Sequence, residues 1–332
     1  MTRPLYGCRV PSKSGKGSAT LTSDADEGQA DRARSPAHPA ATTVRTGDSV
    51  AGAGQLACVL EVSAEKPGNI TPTHDFSDTS YEDMLRCAIA VGPELARAGE
   101  RGVGATIRAV VEASRRVAPA NTNLGIALLL APLAKAALDG GELRERLAWT
   151  LRALDVADAR AAYAAIRLAG AGGLDEPVEH DVRSEPDIGL REAMASAADR
   201  DSIASEYVTD FALTFDTGVP ALAAALGDGL PVRDAIVVLH LRLLAAAPDT
   251  LIARKAGADA ARRVSAAARD VLAAGGPRTA PGRDALREFD ASLRTDGNRL
   301  NPGTTADLVT ATVFVALLGG MLAPSHRVSH SS

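Results

Sequence analysis

The chain has little cysteine: Cys8, Cys58 and Cys87 in 332 residues, an odd number with no CxxC spacing. That excludes a disulfide frame and a zinc–thiolate site, and it reads as reduced thiols in a cytoplasmic protein. Aromatic residues make up only 3%, too few for sheets built on aromatic cross-strand pairs. An excess of positive charge is also missing. Lys and Arg number 36 against 41 Asp and Glu, a net charge of −5, which argues against a nucleic-acid surface and against a polybasic membrane patch. The longest apolar runs, 126–138 and 308–322, are shorter than the ~20 residues of a membrane span. Pro132 and Lys135 interrupt the first, Thr310 and Thr312 the second. No apolar secretory core follows Met1.

What is present is alanine and helical periodicity, with 46% hydrophobic residues. Residues 1–48 are rich in Ser, Thr, Gly, Ala, Pro and mixed charge, and read as a disordered tail; 323–332 read as a second one. Between them, 49–322 are expected to form a single all-α multi-helix domain with a polar cleft made by helix-start loops. Asp48 is placed to cap a helix through Ser63, and Thr79 with Glu82 makes a capping box for a helix through Ala98. Further helices are expected over 103–117, 123–138, 142–154, 156–169, 189–197, 200–215, 218–226, 232–246, 258–274, 281–294 and 305–322, most junctions carrying Gly or Pro. No period-2 run is long enough for a sheet, and 170–188 reads as an exposed connection or lid.

Four polar loops could carry chemistry. The first is Glu61 with Glu65-Lys66-Pro67-Gly68-Asn69 and His74-Asp75-Phe76. Lys66 offers a point charge for phosphate and Asp75 a Mg²⁺ ligand or base, against the plainer alternative of a helix-terminating turn. The second, Asn121-Thr122-Asn123-Leu124-Gly125, places small polar side chains where a loop becomes an apolar helix, a place suited to capping or to an anion. Gly125 in the first turn lowers helix stability by about 1 kcal/mol relative to Ala, which implies a close approach there. The third is Asp249-Thr250 with Arg254-Lys255, a carboxylate and two cations suited to Mg²⁺–polyphosphate or to a solvated helix end. The fourth runs from Asp296 to Asp307, where Thr304 and Asp307 fit a capping box.

In this order the motifs resemble those of the triphosphoribosyl-dephospho-CoA synthases. The resemblance rests on Glu61, Lys66-Pro67-Gly68-Asn69, Asn121-Thr122-Asn123-Leu124-Gly125, Asp249-Thr250, Arg254-Lys255 and Asn301-Pro302-Gly303-Thr304-Thr305-Ala306-Asp307-Leu308. It covers roughly residues 52–320. It implies an all-α enzyme that joins the 2′-hydroxyl of 3′-dephospho-CoA, or a related acceptor, to C1′ of the ATP ribose and releases adenine. Glu61, Asp75 and Asp249 are then the expected catalytic carboxylates, and Asp75, Asp249 and Asp307 the expected Mg²⁺ ligands. Lys66, Arg254 and Lys255 are expected on the phosphates. Asn69, Asn121, Thr122, Asn123, Asn301 and Thr304 complete the expected nucleotide site. Better-known members carry Asn-Thr-His and a basic residue before the glycine, where this chain has Asn123 and Leu124. Two other readings stand beside this one. One is a Mg²⁺-dependent all-α phosphohydrolase or other nucleotide-processing enzyme; the other is a non-catalytic helical binding protein, whose polar loops should lie far apart.

Overall fold

The computed structural model describes residues 45–118, 123–170 and 184–322, and among them it forms α-helices and no strand. In chain order these are α1 (Gly47–Val62), α2 (Tyr81–Ala96), α3 (Val103–Arg115), α4 (Leu124–Leu138), α5 (Leu143–Arg152), α6 (Val156–Ala169) and α7 (Leu190–Ala195). They continue with α8 (Ser202–Val208), α9 (Val219–Gly227), α10 (Val232–Ala246), α11 (Thr250–Ala256), α12 (Ala258–Ala273), α13 (Ala280–Leu293) and α14 (Gly303–Leu318). Of the expected tails, 1–44 and 323–332 lie outside the described residues, as do Asn121, Thr122 and 171–183, whereas Thr46 to Asp48 of the expected 1–48 tail already cap and begin α1. No single described helix is long and apolar enough to cross a membrane.

Helices that are apolar all round must be buried, and three of them form the centre. In α4, Ile126 to Ala134 are buried without a break; α10 buries Ala235 to Leu241; α14 buries Leu308 to Ala316. The last of these packs against α1, α4, α10 and α11. Amphipathic helices such as α3 and α12 surround this centre and bury one face each. Small residues let backbones approach closely, which suits a chain short of aromatics. A Cβ on Gly104 of α3 would collide with the backbone of Asp158 in α6, and the Asp158 carboxylate accepts the Gly104 N–H at 2.8 Å. Cys58 and Cys87 are both buried.

The helix starts differ in detail from the sequence reading. α1 is capped by Thr46 with Ser49, not by Asp48, and α2 by Ser80 with Asp83, not by Thr79 with Glu82. The helix expected over 200–215 is broken. Asp210 and Phe211 both adopt positive φ, 51° and 61°, a conformation that costs non-glycine residues energy. A π-helical turn, Leu213–Gly218, follows. Buried Glu206 holds this break by accepting hydrogen bonds from Leu213 N, Thr214 N and Thr214 Oγ1 at 2.9, 3.0 and 2.6 Å.

Replacing Gly104 by Ala should destabilise the protein by about 1–3 kcal/mol through overpacking, although Ala is the better helix former. Urea denaturation measures this, and unchanged stability would disprove the close α3–α6 contact.

Candidate functional site

The start of α14 is where the polar loops meet. Its backbone is held by Asp249, the N-cap of α11, which is only 2% exposed. One Asp249 oxygen accepts from Ile252 N at 3.0 Å. The other accepts from Thr305 N at 2.7 Å and from Thr305 Oγ1 at 2.8 Å. Burial raises the Asp249 pKa, and these donors oppose the rise. Asp249 is thus a clamp between two helix starts, and both oxygens already accept hydrogen bonds. That differs from the metal-ligand and catalytic roles expected for it. Beside it, Thr250 Oγ1 donates to Thr304 Oγ1 at 3.2 Å.

Asp307 is not the capping residue that its spacing from Thr304 suggested. The helix already begins at Gly303, with Pro302 at the N-cap and no side-chain cap, so Asp307 lies in the second turn. A Cβ on Gly125, in the first turn of α4, would overlap Asp307 Oδ2 and come within 2.9 Å of Ile203 Cδ1. The close approach implied by Gly125 is therefore made by this carboxylate. No described group hydrogen-bonds Asp307. Burial first, then the charges of Glu61, Asp249 and Asp201, hold its pKa well above the carboxylate range, and Arg254 opposes them.

The α4 start itself carries no side-chain cap. Asn123 occupies the N-cap position, but its amide turns inward and donates to Ser114 Oγ at 3.3 Å. It is buried, so the nucleotide contact expected of it is not the one its side chain makes.

Glu61, near the end of α1, is buried against Lys66. The ammonium lies 3.0 Å from Glu61 Oε1 and donates to Glu61 O at 2.5 Å and Ala64 O at 3.4 Å. Lys66 is fully buried, which departs from the phosphate-binding role expected for it. Burial raises the Glu61 pKa, and Lys66 opposes the rise. The following turn places Gly68 at φ 73°. Gly68 N donates to Asp290 Oδ1 at 2.8 Å, and Arg294 donates to Asn69 O at 2.9 Å. The Asn69 side chain donates to Pro67 O at 3.3 Å. Pro302 lies against Gly68, so this loop also reaches the α14 start.

The cations stand on the α11 side. Arg254 Nη1 lies 2.7 Å from Asp201 Oδ2, and Asp201 Oδ1 caps α8 through Ile203 N and Ala204 N at 2.8 and 3.2 Å. Lys255 donates to Asn301 Oδ1 at 3.3 Å. Burial lowers the Lys255 pKa, and the charges of Asp249 and Asp78 counter it. Arg299 donates to Lys255 O at 2.6 Å. Asp201, Arg299 and Thr305 were missed by the sequence reading. An Asp-Ser pair ahead of an apolar helix is a capping signal that could have located Asp201.

Asp75 is exposed and accepts from Tyr81 N at 2.7 Å at the start of α2. Among the described residues no three His, Cys, Asp or Glu side chains are gathered as a metal site. Asp75, Asp249 and Asp307 therefore do not form the joint ligand set expected of them.

A model of the family described as ATP:dephospho-CoA triphosphoribosyl transferase (CitG) matches residues 47–325. Two relatives carry the name "Probable 2-(5''-triphosphoribosyl)-3'-dephosphocoenzyme-A synthase", one from Stutzerimonas stutzeri and one from Azotobacter vinelandii. Each is 32% identical over 105 residues, 32% of this chain. The match spans only 36% and 35% of the length of those relatives. A crystal structure from Archaeoglobus fulgidus, described as a triphosphoribosyl-dephospho-CoA synthase, is 29% identical with a TM-score of 0.57. It covers 71% of this chain and 99% of that one. The chain belongs to the ATP:dephospho-CoA triphosphoribosyl transferase family.

The clamp makes a specific prediction. Asp249→Ala should lower stability by about 2–4 kcal/mol, through the lost cap and the lost bonds to Thr305, and Asp249→Asn by less. A variant that keeps wild-type stability in urea while losing ligand binding would show that Asp249 is a ligand contact instead.

Proposed function

We propose, on the premise of that membership, that the chain transfers the triphosphoribosyl group of ATP to the 2′-hydroxyl of 3′-dephospho-CoA or a related acceptor. The bond from C1′ to the adenine nitrogen breaks and the bond from C1′ to the acceptor oxygen forms. The hydroxyl proton leaves to a base, and adenine departs carrying a proton. The single observation that carries this reading is that the described parts of all four polar loops come together at the start of α14, around an Asp307 carboxylate without a hydrogen-bond partner among the described residues. A helical binding protein gives no reason to gather them.

The residue chemistry suits each end of the donor. Displacing a base from C1′ builds positive charge on the ribose, and preorganised carboxylates nearby stabilise it. Glu61 is the carboxylate proposed to face C1′; only its Oε1 is tied to Lys66. Arg254, Lys255 and Arg299 gather on one side and supply cations for the triphosphate. The α4 start, without a side-chain cap, adds backbone donors.

Mg²⁺ fits the donor set in a limited form. Asp307 offers hard oxygens without a hydrogen-bond partner among the described residues, amid like charges. Asp249 and Asp75 already accept backbone hydrogen bonds. Asp307 would hold the ion, with the phosphates completing its shell, and the ion would neutralise charge on the triphosphate. Cytoplasmic placement is proposed with this reading, consistent with the scarce, buried cysteines.

Chromatography and mass spectrometry of products from MgATP and dephospho-CoA test the proposal. Adenine and a triphosphoribosylated product should appear in equal amounts. Phosphate release without adenine would instead indicate a phosphohydrolase and overturn the transfer reading.

Asp307→Asn should lower kcat by at least about 100-fold yet raise the melting temperature by about 2 °C or more. The sign follows from the raised pKa. The folded state holds the Asp307 proton more tightly than the unfolded chain, so its contribution to stability is complete below the unfolded carboxylate pKa. That contribution is lost as pH rises through the folded value. Without divalent metal, the advantage of the Asn variant should therefore widen from pH 4.5 to pH 7. An advantage that shrinks over that range would disprove the crowding of negative charge at Asp307.

A further inference from the structure

Lys66 has the composition of a phosphate-binding residue but not its geometry. A lysine ammonium has three donors, and here three acceptors take them: Glu61 Oε1 at 3.0 Å, Glu61 O at 2.5 Å and Ala64 O at 3.4 Å. The side chain is fully buried, so no donor is left facing a ligand. Two of the three bonds go to one residue, to its side chain and to its own carbonyl. That arrangement fixes the rotamer of Glu61 as well as its charge.

The surroundings support the same reading. Behind the pair, His240 of α10 is fully buried with neither ring nitrogen hydrogen-bonded. Burial and the Lys66 charge pull its pKa down to about 3, so it is neutral and does not compete for Glu61. The Glu61 charge also acts on Cys58 of its own helix and on Asp307 of α14. Lys66 is thus the counter-charge that keeps Glu61 beside Asp307. A buried ion pair adds little net stability over well-packed apolar residues, so holding a carboxylate in place is the better account of why charge is kept here.

We propose that Lys66 is a positioning residue, which acts on the reaction through Glu61 and makes no contact with the triphosphate. The inference rests on the transferase reading. It removes one cation from the phosphate site and leaves that task to Arg254, Lys255 and Arg299.

Steady-state kinetics with MgATP and dephospho-CoA on wild type and Lys66→Met test it, together with MgATP binding by calorimetry to wild type, Glu61→Gln and Lys66→Met/Glu61→Gln. Lys66→Met should lower kcat by about 100-fold with KM for ATP changed by no more than about threefold. It should also unfold more readily, because Glu61 loses its partner. The double variant, with both charges gone, should regain the stability of Glu61→Gln and bind MgATP within about threefold of it. This arm keeps the test decisive if Lys66→Met fails to fold. A KM rise of tenfold or more with kcat kept, or a double variant that loses MgATP binding relative to Glu61→Gln, would overturn the positioning role while the transferase reading stands. Wild-type protein that binds MgATP but releases no adenine would overturn the transferase reading, and this inference with it.

Discussion

The bond from the backbone of Thr305 to the Asp249 carboxylate is the interaction on which the site depends. α14 is the most central helix, in contact with α1, α4, α10 and α11. Its first turn is also where four loops from distant parts of the sequence meet. A helix start has backbone N–H groups without partners, and Pro302 at the N-cap supplies no side-chain acceptor. Asp249 fills that need from another helix, so α11 and α14 start in fixed relation. Everything placed from those starts inherits the registration: Arg254 and Lys255 at the end of α11, Thr304 and Asp307 in α14, and through Gly125 the first turn of α4.

The cluster is poorly arranged for stability, and that is informative. An alanine-rich helical interior could be filled with apolar side chains throughout. Instead Glu61, Lys66, Asp249 and His240 are buried, and Asp307 stands among like charges. Burying a charge is tolerated when it is paired and hydrogen-bonded. Glu61 meets that condition through Lys66, and Asp249 through its three donors. Asp307 does not. Where one charge of a network is left without a partner while its neighbours are fully satisfied, the unmet demand lies with whatever binds there.

Much of this was legible in the sequence, and the failures have definite causes. The all-α class and the run of helices follow from periodicity, caps and Gly/Pro punctuation, whereas the grouping of the four loops was only what the family resemblance implied. An Asp before Thr-Leu-Ile is a capping signal, and Asp249 does cap α11. The capping role of Asp307 was misread because T-x-x-D fits a capping box wherever it falls, and only the backbone shows that the helix starts two residues earlier. The burial of Lys66 was not legible because a pattern of residue types carries no depth: the same Lys-Pro-Gly turn can face water or, as here, fold under the end of α1. The direction of Asn123 was not legible either, since Ser114, the acceptor that its amide meets, is nine residues away. The break at Asp210-Phe211 carried only a weak signal, because Asp tolerates positive φ better than most non-glycine residues but Phe does not.

The charge pairing bears on what form of ATP the proposed reaction uses. Glu61 is matched by Lys66, Asp201 by Arg254; the Asp249 oxygens are occupied by N–H and hydroxyl donors. Asp307 has no hydrogen-bond or ion-pair partner among the described residues, and of the charges acting on it Glu61, Asp249 and Asp201 repel while Arg254 attracts. Free ATP would bring several negative charges toward that carboxylate and would be repelled by it. ATP with Mg²⁺ brings its own positive charge to a hard oxygen ligand, and the repulsion that raises the Asp307 pKa becomes attraction for the metal. Arg254 suits the same proposal, because a phosphate oxygen can replace the single Asp201 oxygen that it now meets. In the proposed reaction a metal–triphosphate would bring a divalent charge to Asp307 and an anion to Arg254 at once, which suits the charges gathered at the start of α14.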